Sequence, residues 1–470
     1  MDLERLISAL GPLEVRGGAP TDITDLAYDT REVRSGALFF CAPGETVDRH
    51  DLAGEAVERG AVALVVERPL DFDVPQLLVG SARASMAPAA DEFFDRPTEE
   101  LVVAGVTGTS GKTTTTFLLH SIFEAAGMKP GLIGTIESRV GGESRPAVRT
   151  TPEAIDLQRT FRAMLDAGDR SVVMEATSHG SELGRLDRVR FDALAFTNLT
   201  QDHLDFHGSM EEYFTAKRRL FTDHEPASAA AVNVDDRWGR RLAEELRRLG
   251  RAPLLTYGDS DDADVRVDGE TTFPLRLSGG FNRLNGLAAV AISRLLGVPP
   301  RAVGDGLERV AGVPGRFETI DEGQPFTVIV DYSHKPGALE AVLRAARELT
   351  AGRLICVFGA GGDRDRGKRP QMGQVANELA DLAVVTSDNP RSEDPVAIIE
   401  EILTGMDRDP LVEPDRRRAI AIAIGEADEG DAVVIAGKGN EQGQEFADRK
   451  IPFDDREVAR EALRALRAPA

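Results

Sequence analysis

Short apolar runs of the kind that form buried strands recur along the chain, alternating with stretches whose apolar residues return every three or four positions. In the first stretch the strand-type runs are 37–41, 61–66 and 76–79, with a helical pattern over 52–59, and the stretch closes at Arg96, Pro97 and Thr98. The run LVVAGV at 101–106 then leads into a glycine-rich loop and a helix that begins near Thr113. Further runs at 171–176, 193–198 and 230–234 alternate with helical segments as far as a helix around 285–296. Gly312, Val313, Pro314 and Gly315 break the pattern. Beyond them come strands at 326–332, 353–359, 382–387 and 431–437, with a helix at 338–349. Such alternation predicts parallel sheets covered by helices on both faces. The expected fold class is α/β in three domains: a small N-terminal α/β domain over 1–98, a central parallel-sheet domain over 99–311 and a C-terminal Rossmann-like α/β domain over 312–470. Ligands of such sheets bind beyond the carboxyl ends of the strands, so the polar residues after each strand are the candidates for chemistry.

A length of 470 residues agrees with three domains, at about 150 residues each. Lysine and arginine number 56 against 79 aspartates and glutamates, a net charge of −23. That sign disfavours a nucleic-acid partner, which is held by counterion release to cations. No apolar run reaches the length of about 18 residues that a membrane span needs, and the acidic start (Met1, Asp2, Leu3, Glu4) is unlike a signal peptide. The expectation is a cytoplasmic protein without membrane contact. Cys41 and Cys356 lie far apart inside apolar segments, so both read as core thiols rather than a disulfide or a zinc site.

After the 101–106 strand the chain reads TGTSGKTT, with Gly108, Thr109, Ser110, Gly111, Lys112, Thr113 and Thr114 between strand and helix. Glycines let backbone N–H groups close around phosphate oxygens and the helix N-terminus adds a favourable dipole. The lysine reaches the terminal phosphates, and the threonine hydroxyl can ligate magnesium. The loop is a variant, since the position five before Gly111, usually glycine, is Val106. It makes the central domain a P-loop-type, ATP-binding one. TGTSGKT also resembles the loop of the Mur ligases, a resemblance that extends over nearly the whole chain. Within that family the chain looks most like the branch that adds the third amino acid of the peptidoglycan precursor. The resemblance implies an ATP-dependent carboxylate-amine ligase working through an acyl phosphate.

The next polar residues fit that picture. Glu175 ends the 171–176 strand, where a second metal ligand would sit, and the segment 196–207 packs His203, His207, Asp202 and Asp205 just past another strand. Lys217 follows ten residues after His207. The resemblance implies that Glu175 and His203 help Thr113 bind magnesium, that Lys217 is carbamylated, and that Lys112, Glu175, His203 and Lys217 form the catalytic set. It also assigns Asn282, Asn285, Arg316 and Asp331 to ATP; Arg316 and Asp331 flank the 312–315 joint, so ATP is expected between the second and third domains, with closure completing the site.

The family's acceptor is a UDP-N-acetylmuramoyl peptide. Asp29, Thr30 and Arg31, then Thr150, Thr151, Thr177 and Arg185, match the positions that hold it, whereas Arg49 stands where the family usually has glycine. In the third domain Arg364 follows one strand, and Asp388, Asn389, Pro390 and Arg391 follow the next. In the family DNPR accompanies meso-diaminopimelate as the added amino acid. An arginine fork suits its extra carboxylate and repels the terminal ammonium of lysine. Gly437 and Glu441 match residues that help hold the amino acid, while Asn440 replaces a histidine and Gly337 an aspartate. The expected reaction joins meso-diaminopimelate to UDP-N-acetylmuramoyl-L-alanyl-D-glutamate, in a monomer. Three alternatives stay open: a lysine-adding ligase, a folylpolyglutamate-synthase-like ligase, and a nucleotide-binding paralogue without catalysis.

Overall fold

The computed structural model describes residues 1–17, 22–44, 47–223, 227–250, 253–267 and 274–467. Among these residues the chain builds three α/β units in sequence order. The first holds a five-stranded sheet in the order 14–16, 76–78, 61–66, 37–40, 25–27. The second holds an eight-stranded sheet in the order 254–257, 230–233, 193–196, 102–107, 171–175, 130–133, 137–140, 143–146. The third holds a six-stranded sheet in the order 318–319, 327–331, 432–436, 354–358, 382–385, 411–412, and a hairpin of 443–445 with 450–452 lies beside it.

Wholly apolar runs became central parallel strands. The strand Leu354–Phe358 is buried at every residue and pairs in parallel with strands on both sides. Each face of the central sheet carries its own core. The helices Lys112–Ala125, Gly280–Leu295 and Pro300–Arg309 pack on one face, and Ala154–Ala167, Met210–Thr222 and Arg237–Leu249 on the other. Removing apolar surface from water at about 25 cal/mol per Å² makes such two-sided burial the main stabilising term. The sheets depart from the parallel expectation at their edges. Strand Glu14–Arg16 pairs antiparallel with Gln76–Leu78, Glu137–Val140 and Glu143–Pro146 form an antiparallel hairpin, and Glu318–Thr319 runs antiparallel to Thr327–Asp331. These strands are largely exposed or half-buried, so no apolar pattern marks them.

The first unit docks on the second through the helix Ala154–Ala167, whose Ala154 and Ile155 complete its core. Tyr28 Oη donates to Asp156 Oδ2 at 2.6 Å across that contact. The joint into the third unit is pressed against the loop before the hairpin. Gly315 has φ +64°, and a Cβ there would lie 2.1 Å from the backbone N of Asn440, so only glycine fits. No helix among the described residues is long and apolar enough to cross a membrane.

Behind the strand ends of the third sheet lies a fully buried ion pair. Arg416 Nε and Nη2 donate to Asp455 Oδ1 and Oδ2 at 2.8 and 2.7 Å, and Nη1 and Nη2 also reach the carbonyls of Ser387 and Ala436. Asp455→Ala leaves this guanidinium buried without its anion, and is expected to cost about 3–5 kcal/mol, read as a lower urea midpoint at unchanged m-value.

Candidate active site

A cavity of about 450 Å³ opens where the second and third units meet, at the carboxyl ends of the central strands. Its floor is the loop 108–111 between the strand Val102–Thr107 and the helix Lys112–Ala125. Neighbours fix this loop: Asn198 Oδ1 accepts from Ser110 N at 3.0 Å, and Thr197 Oγ1 donates to Ser110 O at 2.6 Å. Both glycines are required. A Cβ on Gly108 would lie 1.9 Å from Thr197 Oγ1, and one on Gly111 2.3 Å from Asn285 Oδ1. The variant position explains itself too, since Val106 is fully buried in the strand and in the core beneath it.

Lys112 Nζ folds back to donate to the carbonyls of Gly108 and Thr109, 2.9 Å to each. Burial, reinforced by Lys335, pushes its amine down to about 8. Thr113 Oγ1 donates to Glu175 Oε1 at 2.9 Å, and Thr135 donates to the same carboxylate from its N–H at 2.8 Å and its hydroxyl at 3.0 Å. Lys217, on the helix Met210–Thr222, is buried. Its Nζ donates to Gly108 O at 3.0 Å and lies 4.7 Å from the centre of the Tyr213 ring. Burial first, then Lys112 and Lys335, hold this amine well below its ordinary range. His203, at φ +53°, faces Asp202 with Nε2 2.8 Å from Oδ2, and Lys335 of the third unit pairs with the same oxygen.

Arg316 reaches across the joint. Its Nη2 lies 3.4 Å from Thr113 Oγ1, its Nη1 3.4 Å from Asn440 Oδ1, and its guanidinium stacks 4.2 Å from the centre of the Tyr332 ring. Asn440, which replaces a histidine of the family pattern, thus supports Arg316. Asn285 Nδ2 donates to Asn282 Oδ1 at 3.1 Å, and Asn282 Nδ2 to Ser278 O at 2.8 Å, which holds the Gly280–Leu295 helix start under the loop. Asp331 lines the cavity, yet its oxygens accept from Phe317 N at 2.7 Å and from Ser333 N at 2.8 Å. It braces the residue after Arg316 as much as it faces the cavity.

Two further groups flank the cavity. Thr151 Oγ1 donates to Glu175 O at 2.9 Å and accepts from Thr177 Oγ1 at 2.9 Å, Arg185 Nη1 donates to Thr151 O at 3.2 Å, and Thr150 Oγ1 is 3.1 Å from Thr135 Oγ1. Thr30 lies buried in the 3-10 turn Thr30–Glu32 of the first unit and makes none of these hydrogen bonds; beside it Asp29 is tied up by Arg31. In the third unit Asn389 accepts from Lys438 Nζ at 2.8 Å and donates to Glu441 Oε2 at 2.9 Å. Asp388 Oδ2 is buried with no hydrogen-bond partner among the described residues. Burial alone would raise this carboxyl, but Lys438 and Arg416 outweigh it and hold it low. Gly437 at φ +129° leaves that oxygen room, for a Cβ there would lie 2.5 Å from it. Arg391 Nη1 donates to Gly362 O at 2.6 Å, whereas Arg364 lies exposed with Nη1 on its neighbour's carbonyl at 2.9 Å. Pro390 places its carbonyl against Gly362, where a Cβ would come within 1.9 Å of it.

Three matches to one family cover most of this architecture: the Mur ligase family catalytic domain at 22–93, the Mur ligase middle domain at 106–293 and the Mur ligase glutamate ligase domain at 315–439. The chain belongs to the Mur ligase family. It is 45% identical, over 99% of its length and 100% of the relative's, to UDP-N-acetylmuramoyl-L-alanyl-D-glutamate--2,6-diaminopimelate ligase of Geobacillus thermodenitrificans. A solved structure of a ligase of that name matches with a TM-score of 0.66 and 30% identity, covering 95% of this chain and 96% of that one. Mycobacterium tuberculosis folylpolyglutamate synthase shares the fold at a TM-score of 0.62 and 19% identity, covering 82% of this chain and 96% of its own.

In this Mur ligase the cavity brings together Lys112, Thr113, Glu175, His203, Arg316 and Asp331. The amino-acid candidates form a separate cluster behind it, and Lys368 stands between, its Nζ donating to His334 O at 3.0 Å. Sequence reading missed Lys335, Asn198 and Thr135, and named Asp202 only as one of the polar residues of its segment. Asn198 and Asp202 stood inside segments already singled out, and their position after a strand end was the available signal. Magnesium, which the family implies, takes hard oxygen donors. Thr113 Oγ1 and the Glu175 carboxylate supply them and fit it. Among the described residues no three His, Cys, Asp or Glu side chains converge into a fuller cage, which suits a cation that keeps waters and substrate phosphates as its other ligands.

Proposed function

We propose that this chain is the ATP-dependent ligase that joins meso-diaminopimelate to the side-chain carboxylate of the D-glutamate in UDP-N-acetylmuramoyl-L-alanyl-D-glutamate. The observation that carries the reading is the pair of clusters at one joint. A P-loop lysine with Thr113 and Glu175 lies on the central side, and a buried, unpartnered carboxylate oxygen of Asp388 near Arg391 lies on the other. The first cluster suits ATP, and the second suits an amino acid that carries both an ammonium and an extra carboxylate. Thr150, Thr151, Thr177 and Arg185 suit the anionic muramoyl peptide between the first two units; Thr30 is assigned to its uridine end.

The chemistry follows from these placements. A glutamate carboxylate oxygen attacks the γ-phosphorus as the bond to the ADP oxygen breaks, and an acyl phosphate forms. Lys112 and Arg316 neutralise charge on the transferring group, a role that works through positioning rather than covalent chemistry. Magnesium, when bound at Thr113 and Glu175, supplies further neutralisation of the phosphates. The diaminopimelate amine, freed of its proton, attacks the acyl carbon. Phosphate leaves from the tetrahedral intermediate with its electron pair, and the nitrogen sheds a second proton. Asp388 and Glu441 orient the amino acid's ammonium group, and Arg391 with Arg364 its distal carboxylate.

We assign Lys217 as a carbamate: its amine attacks carbon dioxide, an N–C bond forms and a proton leaves. Its burial beside the P-loop keeps the adduct from water. Intact-mass measurement in bicarbonate buffer is expected to show one carbon dioxide adduct that Lys217→Arg lacks; unmodified mass on active enzyme refutes the assignment. The reaction itself is tested by phosphate release with ATP, magnesium and the UDP-muramoyl dipeptide, comparing meso-diaminopimelate, L-lysine and no amino acid. Selective turnover with diaminopimelate supports the reading. Turnover with L-lysine keeps the ligase and removes Arg391 as the reader, and turnover only with a folate and glutamate removes the acceptor. Without turnover from folded, ATP-binding protein, the chain is a non-catalytic paralogue. The protein is further proposed to act as a cytoplasmic monomer.

A further inference from the structure

We propose that Lys335 is a positioning residue that couples closure of the joint to the acyl-phosphate site through Asp202 and His203. The inference rests on the ligase reading above and adds to it a residue outside the P-loop. Lys335 belongs to the third unit and Asp202 to the second, and their ion pair is nearly buried, with 12% and 11% of the two side chains exposed. The oxygen that Lys335 engages, Asp202 Oδ2, is also the one 2.8 Å from His203 Nε2. Lys335 and His203 both line the cavity that holds the P-loop.

The local structure gives Lys335 no reason of its own to be a lysine. It stands at the N-cap of the helix Pro336–Glu348 and makes no side-chain cap hydrogen bond there. A cation at a helix N-terminus opposes the helix dipole, and N-caps favour Ser, Thr, Asp or Asn. The charge is accounted for by the carboxylate across the joint. Two residues on, Gly337 presents no side chain, and the nearest atom a Cβ would meet is Thr200 Cγ2 at 4.0 Å. The segment 335–337 therefore lies directly against the loop 200–203 of the second unit. When the joint opens, Lys335 leaves with the third unit and His203 keeps a carboxylate that has lost its cation. When it closes, the pair forms and fixes Asp202, and with it the histidine ring, at the cavity wall. Arg316, which spans the same joint to Thr113, closes in the same movement.

The test uses the full chain with Lys335→Met, Lys335→Arg, Asp202→Asn and the Lys335→Met/Asp202→Asn double variant. Thermal midpoints are expected to stay within about 4 °C of the parent and ATP affinity within about twofold, while kcat falls about 30- to 100-fold in Lys335→Met and is partly restored in Lys335→Arg. Asp202→Asn should lose a similar factor, and the double variant should be no worse than the worse single one, as groups acting as a unit require. A Lys335→Met enzyme within threefold of the parent kcat, or losses that multiply in the double variant, would overturn the inference. X-ray scattering with a non-hydrolysable ATP analogue and the UDP-muramoyl dipeptide separates this from failure of the ligase reading. If the parent releases no phosphate with any amino acid, compaction in the parent that is lost in Lys335→Met still supports the coupling. Compaction retained in Lys335→Met, or absent from the parent, refutes it.

Discussion

Lys112→Met is expected to lower phosphate release by about 10³-fold or more, with the folded state retained. Lys112 is half-buried at the P-loop and its Nζ already points along the loop, held by the carbonyls of Gly108 and Thr109. Those bonds are short-range and local, so the amine sits where a terminal phosphate would replace a carbonyl as its partner. Burial and the cation of Lys335 depress its pKa to about 8, and a polyphosphate bound in the cavity would relieve that repulsion. Methionine keeps most of the stem's packing and removes the charge together with the two hydrogen bonds to the loop. The Gly108 carbonyl keeps a donor, since Lys217 Nζ reaches it at 3.0 Å, and only the carbonyl of Thr109, a residue that lines the open cavity, loses its partner. The variant's thermal midpoint should therefore stay within about 4 °C of the parent. A folded Lys112→Met protein that turns over within tenfold of the parent would remove the P-loop lysine from the chemistry.

The parts of this molecule that sequence reading reached share one physical property: their information is local. A strand buried on both faces must be apolar at each residue, so 354–358 and 432–436 announced themselves. The P-loop needs its glycines and lysine contiguous, because one turn builds the whole cradle. Edge strands carry no such constraint. Glu14–Arg16 and Glu143–Pro146 are exposed at every residue, and backbone hydrogen bonding alone defines them. The candidate site divides in the same way. Glu175 was legible as a carboxylate at a strand end, but its two hydrogen bonds from Thr135 depend on how the neighbouring strand ends. Asp202 with Lys335, and Arg416 with Asp455, pair residues that only the folded chain brings together. Asp331 was legible as a polar strand end, whereas its bracing of Phe317 was not.

Arg391→Met is expected to lower kcat/KM for meso-diaminopimelate by about 10²- to 10³-fold, mostly through KM, and to leave the KM for ATP unchanged. Arg391 is preset for the task. Its backbone sits at φ +51°, its N–H donates to Glu445 O at 3.0 Å, and its Nη1 donates to Gly362 O at 2.6 Å. A Cβ on Gly361 would lie 3.1 Å from that same Nη1 and 3.9 Å from Arg364 Cγ, so the two arginines converge over a strip of bare backbone. Glu445 lies 3.3 Å from Arg391 Nε, and this half-exposed partner is the one a ligand carboxylate has to outcompete. A guanidinium fixed in this way binds a planar carboxylate through two N–H groups, and losing that charge-assisted pair is what the loss measures. Arg391→Lys should recover only part of it, because a point charge on a flexible stem cannot reproduce the fork. L-lysine, which lacks the distal carboxylate, should be used by Arg391→Met no worse than by the parent. A drop in activity with both amino acids alike, or a KM for ATP that moves in step, would mean that Arg391 only supports the turn at Gly362, and the selection of diaminopimelate would then have to come from Asp388, Asn389 and Arg364.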